Sequence, residues 1–271
     1  MVWPILAVIS FVIAPARGWW FPGPSVSPLG ASIDNLFYLI LFITSFTFIG
    51  THIALGYVLW RYASAPGRKS WFTHGSHTLE VIWTIIPAVI LLFIALYQMD
   101  VWAQFRIQGL VADKVIKEPV AEVSAHQFGW RIRYPAIGKT LQDLPQPDDL
   151  YAINDLHVPF NRQVSIRLRT DDVQHAFFLP HLRVKQDAVP GLVIPVWFQA
   201  DKVGTYELVC AELCGWGHYK MRGQMVSETE ENFREYLRKL AQSQFDDGVS
   251  ASAEDRAPEA AQTTTPPRGD S

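Results

Sequence analysis

Residues 36–59 read LFYLILFITSFTFIGTHIALGYVL, 24 positions without a charge, and about 20 apolar residues carry a helix across a hydrocarbon core. This run is predicted to span a membrane, and it decides how the rest of the chain is read. Residues 81–99 supply a second charge-free run of 19, bracketed by Glu80 and Asp100 and containing Pro87. Proline is tolerated in a membrane helix where neighbours satisfy the freed carbonyl. Together the runs predict a two-helix transmembrane hairpin over 36–100. Between them, residues 60–79 hold Arg61, Arg68 and Lys69 and no acid. The positive-inside rule makes this loop cytoplasmic and places both termini and the region after Asp100 on the periplasmic, exported side. The expected location is an inner membrane of bacterial type.

Upstream, residues 1–16 (MVWPILAVISFVIAPA) form an apolar run of signal-peptide length ending in Ala14-Pro15-Ala16. They read as a secretory signal, although no basic residue precedes the run; the alternative is an uncleaved third hydrophobic segment. Residues 17–35 are then an exported N-terminal segment, with Trp19-Trp20-Phe21-Pro22 as an interfacial aromatic anchor. The whole chain is 49% hydrophobic and 18% charged, and the charge is unevenly spread. Residues 1–99 carry four basic and two acidic side chains, 100–240 carry 17 and 18, and 241–271 carry two and six. A net charge of -3 without a basic stripe excludes nucleic acid as a partner.

Downstream, residues 101–118 read as a linker. From Val120 the texture becomes short alternating runs broken by Pro, Gly, Asn and Asp. Val164-Ser165-Ile166-Arg167-Leu168-Arg169 alternates with period two, and residues 192–200 and 204–210 are similarly strand-like. With no long amphipathic helix among them, an antiparallel β-sandwich or barrel of about 110 residues is expected. Ser227 and Glu230 make a capping box ahead of Phe233, Tyr236, Leu237 and Leu240, so a C-terminal helix closes the domain, taken as 119–242. Residues 243–271 are small, polar and proline-containing and are expected to be a disordered tail.

The only two cysteines are Cys210 and Cys214, followed by His218 and Met221. Thiolate, imidazole and thioether within twelve residues form the soft donor set that selects copper over magnesium, calcium or manganese. A disulfide or buried free thiols are the alternatives; a disulfide needs neither His218 nor Met221. A two-metal site would still need a second histidine. His52 falls in a span, and His74 and His77 in the loop, which leaves His126, His157, His175 and His181. His175 stands out: it follows Asp171-Asp172 and precedes the apolar Ala176-Phe177-Phe178-Leu179, a context that points it from a strand edge into a low-dielectric pocket.

These residues carry a resemblance. The run C-A-E-L-C-G-W-G-H-Y-K-M (210–221), Asp172-Val-Gln-His175 and Lys185-Gln-Asp-Ala-Val-Pro-Gly191 reproduce signatures of subunit II of the haem-copper cytochrome c oxidases, and the chain resembles that family from about residue 19 to 240. The resemblance implies a transmembrane hairpin followed by an exported all-β, cupredoxin-like Greek-key domain bearing the dinuclear copper centre CuA. It implies that Cys210 and Cys214 bridge two coppers, that His175 and His218 cap one each, and that Met221 and the Glu212 carbonyl are weak axial ligands. The Glu212 side chain would reach a magnesium at the subunit I interface, Asp172 would support the ligands from behind, and Glu80 would sit at the cytoplasmic mouth of a proton path. As implied, the subunit takes electrons from cytochrome c and passes them to the haem of subunit I. There, among the other oxidase subunits, oxygen reduction and proton pumping take place.

One departure matters. Where the family reads H-Q-W-Y-W, this chain reads His126-Gln127-Phe128-Gly129-Trp130, so the tryptophan at which electrons usually enter is phenylalanine. A phenyl ring is a poorer relay. This points to another docking surface or donor, such as a cytochrome c held by a partner complex, with Trp130 or Trp216 as the contact. No C-x-x-C-H occurs, so no haem is attached to this chain. Two rival readings are a membrane-anchored copper chaperone, which would need a thioredoxin-like α/β fold and one anchor, and a copper-free quinol oxidase subunit II, which would lack the ligands retained here.

Overall fold

The computed structural model of the chain describes residues 2–69, 72 and 74–246, which fall into two compact units divided after Val111. Three helices make up the first: α1 (Val2–Ala16), α2 (Pro28–Arg61) and α3 (His77–Arg106). Ser27 caps α2, its hydroxyl accepting from the Gly30 N–H at 3.4 Å, and Pro28 follows where a missing N–H costs nothing. Ser76 caps α3 by accepting from the Leu79 N–H at 3.5 Å, and Glu80 lies in the first turn, where the helix dipole favours a carboxylate. The helix runs through Pro87.

Because these caps lie outside the charge-free runs, both helices outgrow the expected boundaries. α2 takes in residues 28–35 of the segment read as 17–35, and α3 continues to Arg106, into the expected linker over 101–118. Helices of 34 and 30 residues are about 51 and 45 Å long, against about 30 Å of hydrocarbon. The extra turns carry Ser32, Asp34, Asn35, Gln104 and Arg106, side chains suited to headgroups and water. Within the most apolar window of each helix no residue is buried in the chain itself. α2 contacts both α1 and α3. The 15 residues of α1 reach about 22 Å, short of the hydrocarbon thickness. Trp20 and Phe21 fold onto Phe37 of α2 with ring centroids 5.8 and 5.1 Å apart.

The second unit begins with α4 (Asp113–Lys117), inside the stretch read as linker, and continues as ten strands and a last helix. The strands are β1 (Ala121–His126), β2 (Gly129–Tyr134), β3 (Leu150–Ile153), β4 (Asp155–Pro159), β5 (Val164–Thr170), β6 (His175–Leu179), β7 (Val184–Ala188), β8 (Ile194–Phe198), β9 (Gly204–Cys210) and β10 (Arg222–Glu228). They form two five-stranded sheets, ordered β3-β2-β1-β5-β8 and β4-β10-β9-β6-β7. Alternation decides what fills the space between them: Ile166 and Leu168 of β5 are buried while Arg167 and Arg169 turn outward. Trp130, Ile132, Tyr134, Leu156, Phe177 and Met225 complete a sandwich core.

The sheets are not purely antiparallel as expected. β1 pairs with β5, and β10 with β4, in parallel. Parallel neighbours need a long crossover, and the chain between β1 and β5 supplies it by visiting β4 in the other sheet. On β1 and β2, Glu122 lies opposite Arg133, and Arg133 bonds Glu122 at 3.0 Å and Asp149 at 2.7 Å with all three side chains buried.

The last helix, α5 (Glu230–Asp246), is capped by Thr229, whose hydroxyl accepts from the Asn232 N–H at 3.3 Å. The predicted cap, Ser227, is instead a fully buried strand residue with no hydrogen-bond partner for its hydroxyl among the described residues. Pairing of β10 with both β9 and β4 holds the chain extended through Ser227. α5 also takes in residues 243–246 of the expected tail, and the remainder, 247–271, lies outside the described residues. Phe233 and Tyr236 of α5 meet the Tyr134 ring, each at 6.1 Å.

Candidate metal centre

Three adjoining strands of one sheet bring the soft donors together. His175 opens β6, Cys210 closes β9 and Met221 immediately precedes β10. Phe177 lies opposite Cys210, the Ala211 N–H donates to the Ala176 carbonyl at 3.0 Å, and the Cys210 N–H donates to the Met221 carbonyl at 3.2 Å. The intervening loop closes on itself through the His218 N–H to the Gly215 carbonyl and the Met221 N–H to the His218 carbonyl, both at 3.1 Å.

The two Sγ atoms are 3.9 Å apart, so the cysteines are free thiols rather than a disulfide, whose S–S bond is about 2.05 Å. His175 Nδ1 lies 3.8 Å from Cys210 Sγ, and His218 Nδ1 lies 3.6 Å from Cys214 Sγ. Met221 Sδ is 3.8 Å from Cys214 Sγ, and the Glu212 carbonyl is 3.2 Å from Cys210 Sγ. His175, Cys210, Cys214 and Met221 are buried, His218 is half-buried and the Glu212 side chain is exposed. Two thiol sulfurs, two imidazole nitrogens, a thioether and a carbonyl are gathered here. The His-Cys-Cys-Met set is consistent with copper.

Electrostatics prepare the donors. The Asp172 carboxylate accepts the His175 Nε2–H at 2.8 Å and fixes the ring with Nδ1 facing Cys210. Burial works against ionising both partners, yet each prevails: His175 is raised by Cys210 and Asp172, and Asp172 is lowered by His175 and by the N–H groups of Gln127 and Val173. Burial also opposes a thiolate at Cys210, but the His175 hydrogen bond holds that thiol down at about 6. Burial and the charge on Cys210 push Cys214 up to about 11. Without metal the pair therefore keeps one proton, which metal binding must expel.

The aromatic residues separate. Trp130 is fully buried, edge-on to Phe177 at 5.8 Å, with its ring 6.4 Å from His175. It cannot be a docking contact, because alternation along β2 turns it into the core. Trp216 is 79% exposed and meets Phe128 edge-on at 5.2 Å. Phe128 supports the metal loop: a Cβ at Gly217 would stand 2.5 Å from its ring, and one at Gly215, which holds φ +134°, would stand 2.8 Å from Gln127 Nε2. Glu80 is far along the chain in the other unit, exposed in the first turn of α3.

Gln127 is a site residue that sequence reasoning missed. Its backbone N–H donates to Asp172 Oδ2 at 2.7 Å and its side-chain amide donates to the Cys214 carbonyl at 2.5 Å. One residue thus ties the carboxylate behind His175 to the loop that carries Cys214 and His218. The only signal was its place beside Phe128 in His126-Gln127-Phe128.

Both units of the chain resemble known proteins. Residues 18–101 match the family model for the cytochrome c oxidase subunit II transmembrane domain, and residues 125–227 match that for its periplasmic domain. The chain is 28% identical over 238 residues to the alternative cytochrome c oxidase subunit 2 of Bradyrhizobium diazoefficiens, covering 81% of this chain and 83% of that one. It is 30% identical over 243 residues to cytochrome c oxidase subunit 2 of Cereibacter sphaeroides, covering 79% and 78%. The crystal structure of the periplasmic domain of subunit II of cytochrome oxidase of Bradyrhizobium japonicum aligns with 45% of this chain and 93% of that chain at 25% identity, with a TM-score of 0.40. With both domains matched in order and the soft donors gathered at one end of the β-sandwich, the chain belongs to the cytochrome c oxidase subunit II family.

Proposed function

We propose that this subunit takes electrons from cytochrome c at a dinuclear copper centre, CuA, and passes them to the haem of subunit I, where oxygen is reduced and protons are pumped. Cys210 and Cys214 would hold the coppers as thiolates together with the imidazoles of His175 and His218, and Met221 and the Glu212 carbonyl would be weaker donors to the same centre. When bound, the copper pair would supply a one-electron carrier with small reorganisation. The observation that carries this reading is the convergence of all six donors at contacts of 3.2–3.9 Å in a largely buried pocket.

The protein's own part is to hold those donors still. Asp172 fixes the His175 tautomer, Gln127 anchors the Cys214 carbonyl, and three paired strands prevent the ligands from relaxing apart when charge changes. Burial of the thiols keeps water away from them. Electrons enter on the side of Phe128 and Trp216, with Trp130 behind them in the core. The exported orientation of the β domain, a cleaved leader over 1–16, a magnesium at the Glu212 side chain and a proton path beginning at Glu80 belong to the same proposal.

The test is an EPR spectrum of the copper-loaded full-length chain in detergent. A hyperfine pattern shared equally by two coppers is expected, and it is lost in Cys210→Ser. A mononuclear copper pattern in the unmodified chain overturns the dinuclear reading.

A further inference from the structure

The outer face of the sheet β3-β2-β1-β5-β8 carries two rows of arginines whose charges are balanced very differently. Strand pairing sets each row side by side, with β1 in the middle: Arg133, Glu122 and Arg167 form one, and Arg131, Ser124 and Arg169 form the other. Directly paired residues point to the same side of a sheet. Val123 and Ala125, which alternate with Ser124, are fully buried on the opposite side.

The first row is closed. Arg133 holds Glu122 at 3.0 Å and Asp149 at 2.7 Å, while Arg167 holds Asp143 at 2.5 Å and lies 3.4 Å from Glu122. The second row is left open. Arg131 and Arg169 share a single acid, Asp171, at 3.4 and 3.7 Å, and their side chains make no hydrogen bond among the described residues. The Ser124 hydroxyl between them makes none either, although Ser124 is only 8% exposed. Each guanidinium has five N–H donors, and the two side chains remain 32% and 24% exposed, within reach of a solute.

Asp171 indicates what this row can hold. Its Oδ2 faces Arg131 and its Oδ1 faces Arg169, so one anion draws both guanidiniums to one point. A charge-assisted bond closes to about 2.7–2.9 Å, which Asp171 does not reach. Its backbone N–H is tied to the Ala125 carbonyl at 3.0 Å, just past the end of β5. A free tetrahedral oxyanion carries no such tether and offers one oxygen to each guanidinium and another to the Ser124 hydroxyl. Two cations against one carboxylate leave this row with one positive charge to balance, and the planar guanidinium matches phosphate oxygens in pairs.

We infer that Ser124, Arg131 and Arg169 form a binding site for a small tetrahedral oxyanion of the phosphate or sulfate type, with Asp171 as the resident acid that such an anion displaces. None of these residues is among the soft donors of the metal centre.

The test titrates inorganic phosphate into the full-length chain in detergent by isothermal calorimetry, in a chloride buffer of constant ionic strength. One phosphate per chain is expected to bind with millimolar affinity, and sulfate is expected to displace it. Arg131→Gln and Arg169→Gln each weaken binding about tenfold, and Ser124→Ala weakens it about threefold, as suits the loss of a charged and of a neutral donor. Asp171→Asn removes the resident acid and tightens binding about tenfold. Asp143→Asn, which alters an acid of the closed row, changes affinity less than about twofold. Circular dichroism melts without phosphate show that each variant is folded, and the gain expected of Asp171→Asn does not depend on the arginine variants. The inference is overturned if phosphate binding does not saturate, if chloride competes as well as sulfate, or if Asp171→Asn and Asp143→Asn raise affinity equally.

Discussion

At the scale of single residues, the metal centre divides into donors the chain announces and supports it conceals. Cys210, Cys214, His218 and Met221 fall within twelve residues, and residue type and spacing mark them as a candidate soft donor set. His175 needed the contrast between Asp171-Asp172 and the apolar run after it. Gln127 was illegible, because its meaning comes from contact with a carbonyl 87 positions away. Its removal tests whether that contact matters. Gln127→Leu is expected to lower copper affinity by about tenfold and to alter the copper hyperfine splitting, because the Cys214 loop is no longer tied to Asp172. Asp172→Ala removes the acceptor of the His175 Nε2–H and is expected to cost about 10- to 100-fold in affinity. Both are read by competition with a copper chelator alongside EPR; retention equal to that of the unmodified chain in both variants would refute the supporting roles.

At the scale of elements, periodicity gave the strands of the sandwich, as the inward Ile166 and Leu168 of β5 show, but pairing directions and helix limits escaped it. The parallel β1–β5 and β10–β4 pairs depend on which sheet the chain visits between strands, which no local pattern encodes. The helix start was misread because a serine three residues before a glutamate is a local signal, and two-sided strand pairing outweighed it. That leaves a clean comparison between Thr229 and Ser227. Thr229→Ala is expected to destabilise the domain by about 1 kcal/mol, since it strips the Asn232 N–H of its acceptor. Ser227→Ala is expected to be neutral or slightly stabilising, because it deletes a buried hydroxyl without a partner. The reverse order in thermal denaturation would restore Ser227 as the cap. Within β1 and β2 the buried Arg133 faces two carboxylates, so Arg133→Met is expected to cost about 3–5 kcal/mol by leaving Asp149 without a cation and Glu122 with only Arg167, at 3.4 Å. Denaturant titration would show this, and adding Glu122→Gln should recover part of the loss.

At the scale of the whole molecule, the uneven spread of charge in the sequence maps onto a chain of two units, an apolar helical one and a charged β-rich one. In the second, a single histidine links the sheet to the closing helix and makes stability depend on pH. His157 of β4 directs Nδ1 at Glu228 of β10 at 2.6 Å and Nε2 at Asp155 at 3.2 Å, while its ring stacks on Tyr236 of α5 at 3.5 Å. Both nitrogens can donate only when the ring is protonated. Burial disfavours the charge, but the hydrogen bonds to Asp155 and Glu228 prevail and raise His157 above its ordinary value. Burial likewise opposes ionising Asp155, and its bonds to His157 and Gln224 lower it. The signs then follow. The His157 contribution is fully present below the unfolded value of about 6.5 and is lost as pH rises through the raised folded value. The Asp155 contribution is present above about 3.9 and is lost as pH falls through its lowered value. If His175 and His218 hold copper as proposed, His157 is left in the copper-loaded chain as the histidine whose value is raised. The melting temperature of the copper-loaded full-length chain should therefore fall as pH rises above about 6.5, and His157→Gln, which cannot take up a proton, should flatten that fall. Differential scanning fluorimetry across this range decides the matter: parallel pH profiles for the two proteins would show that the linkage lies elsewhere.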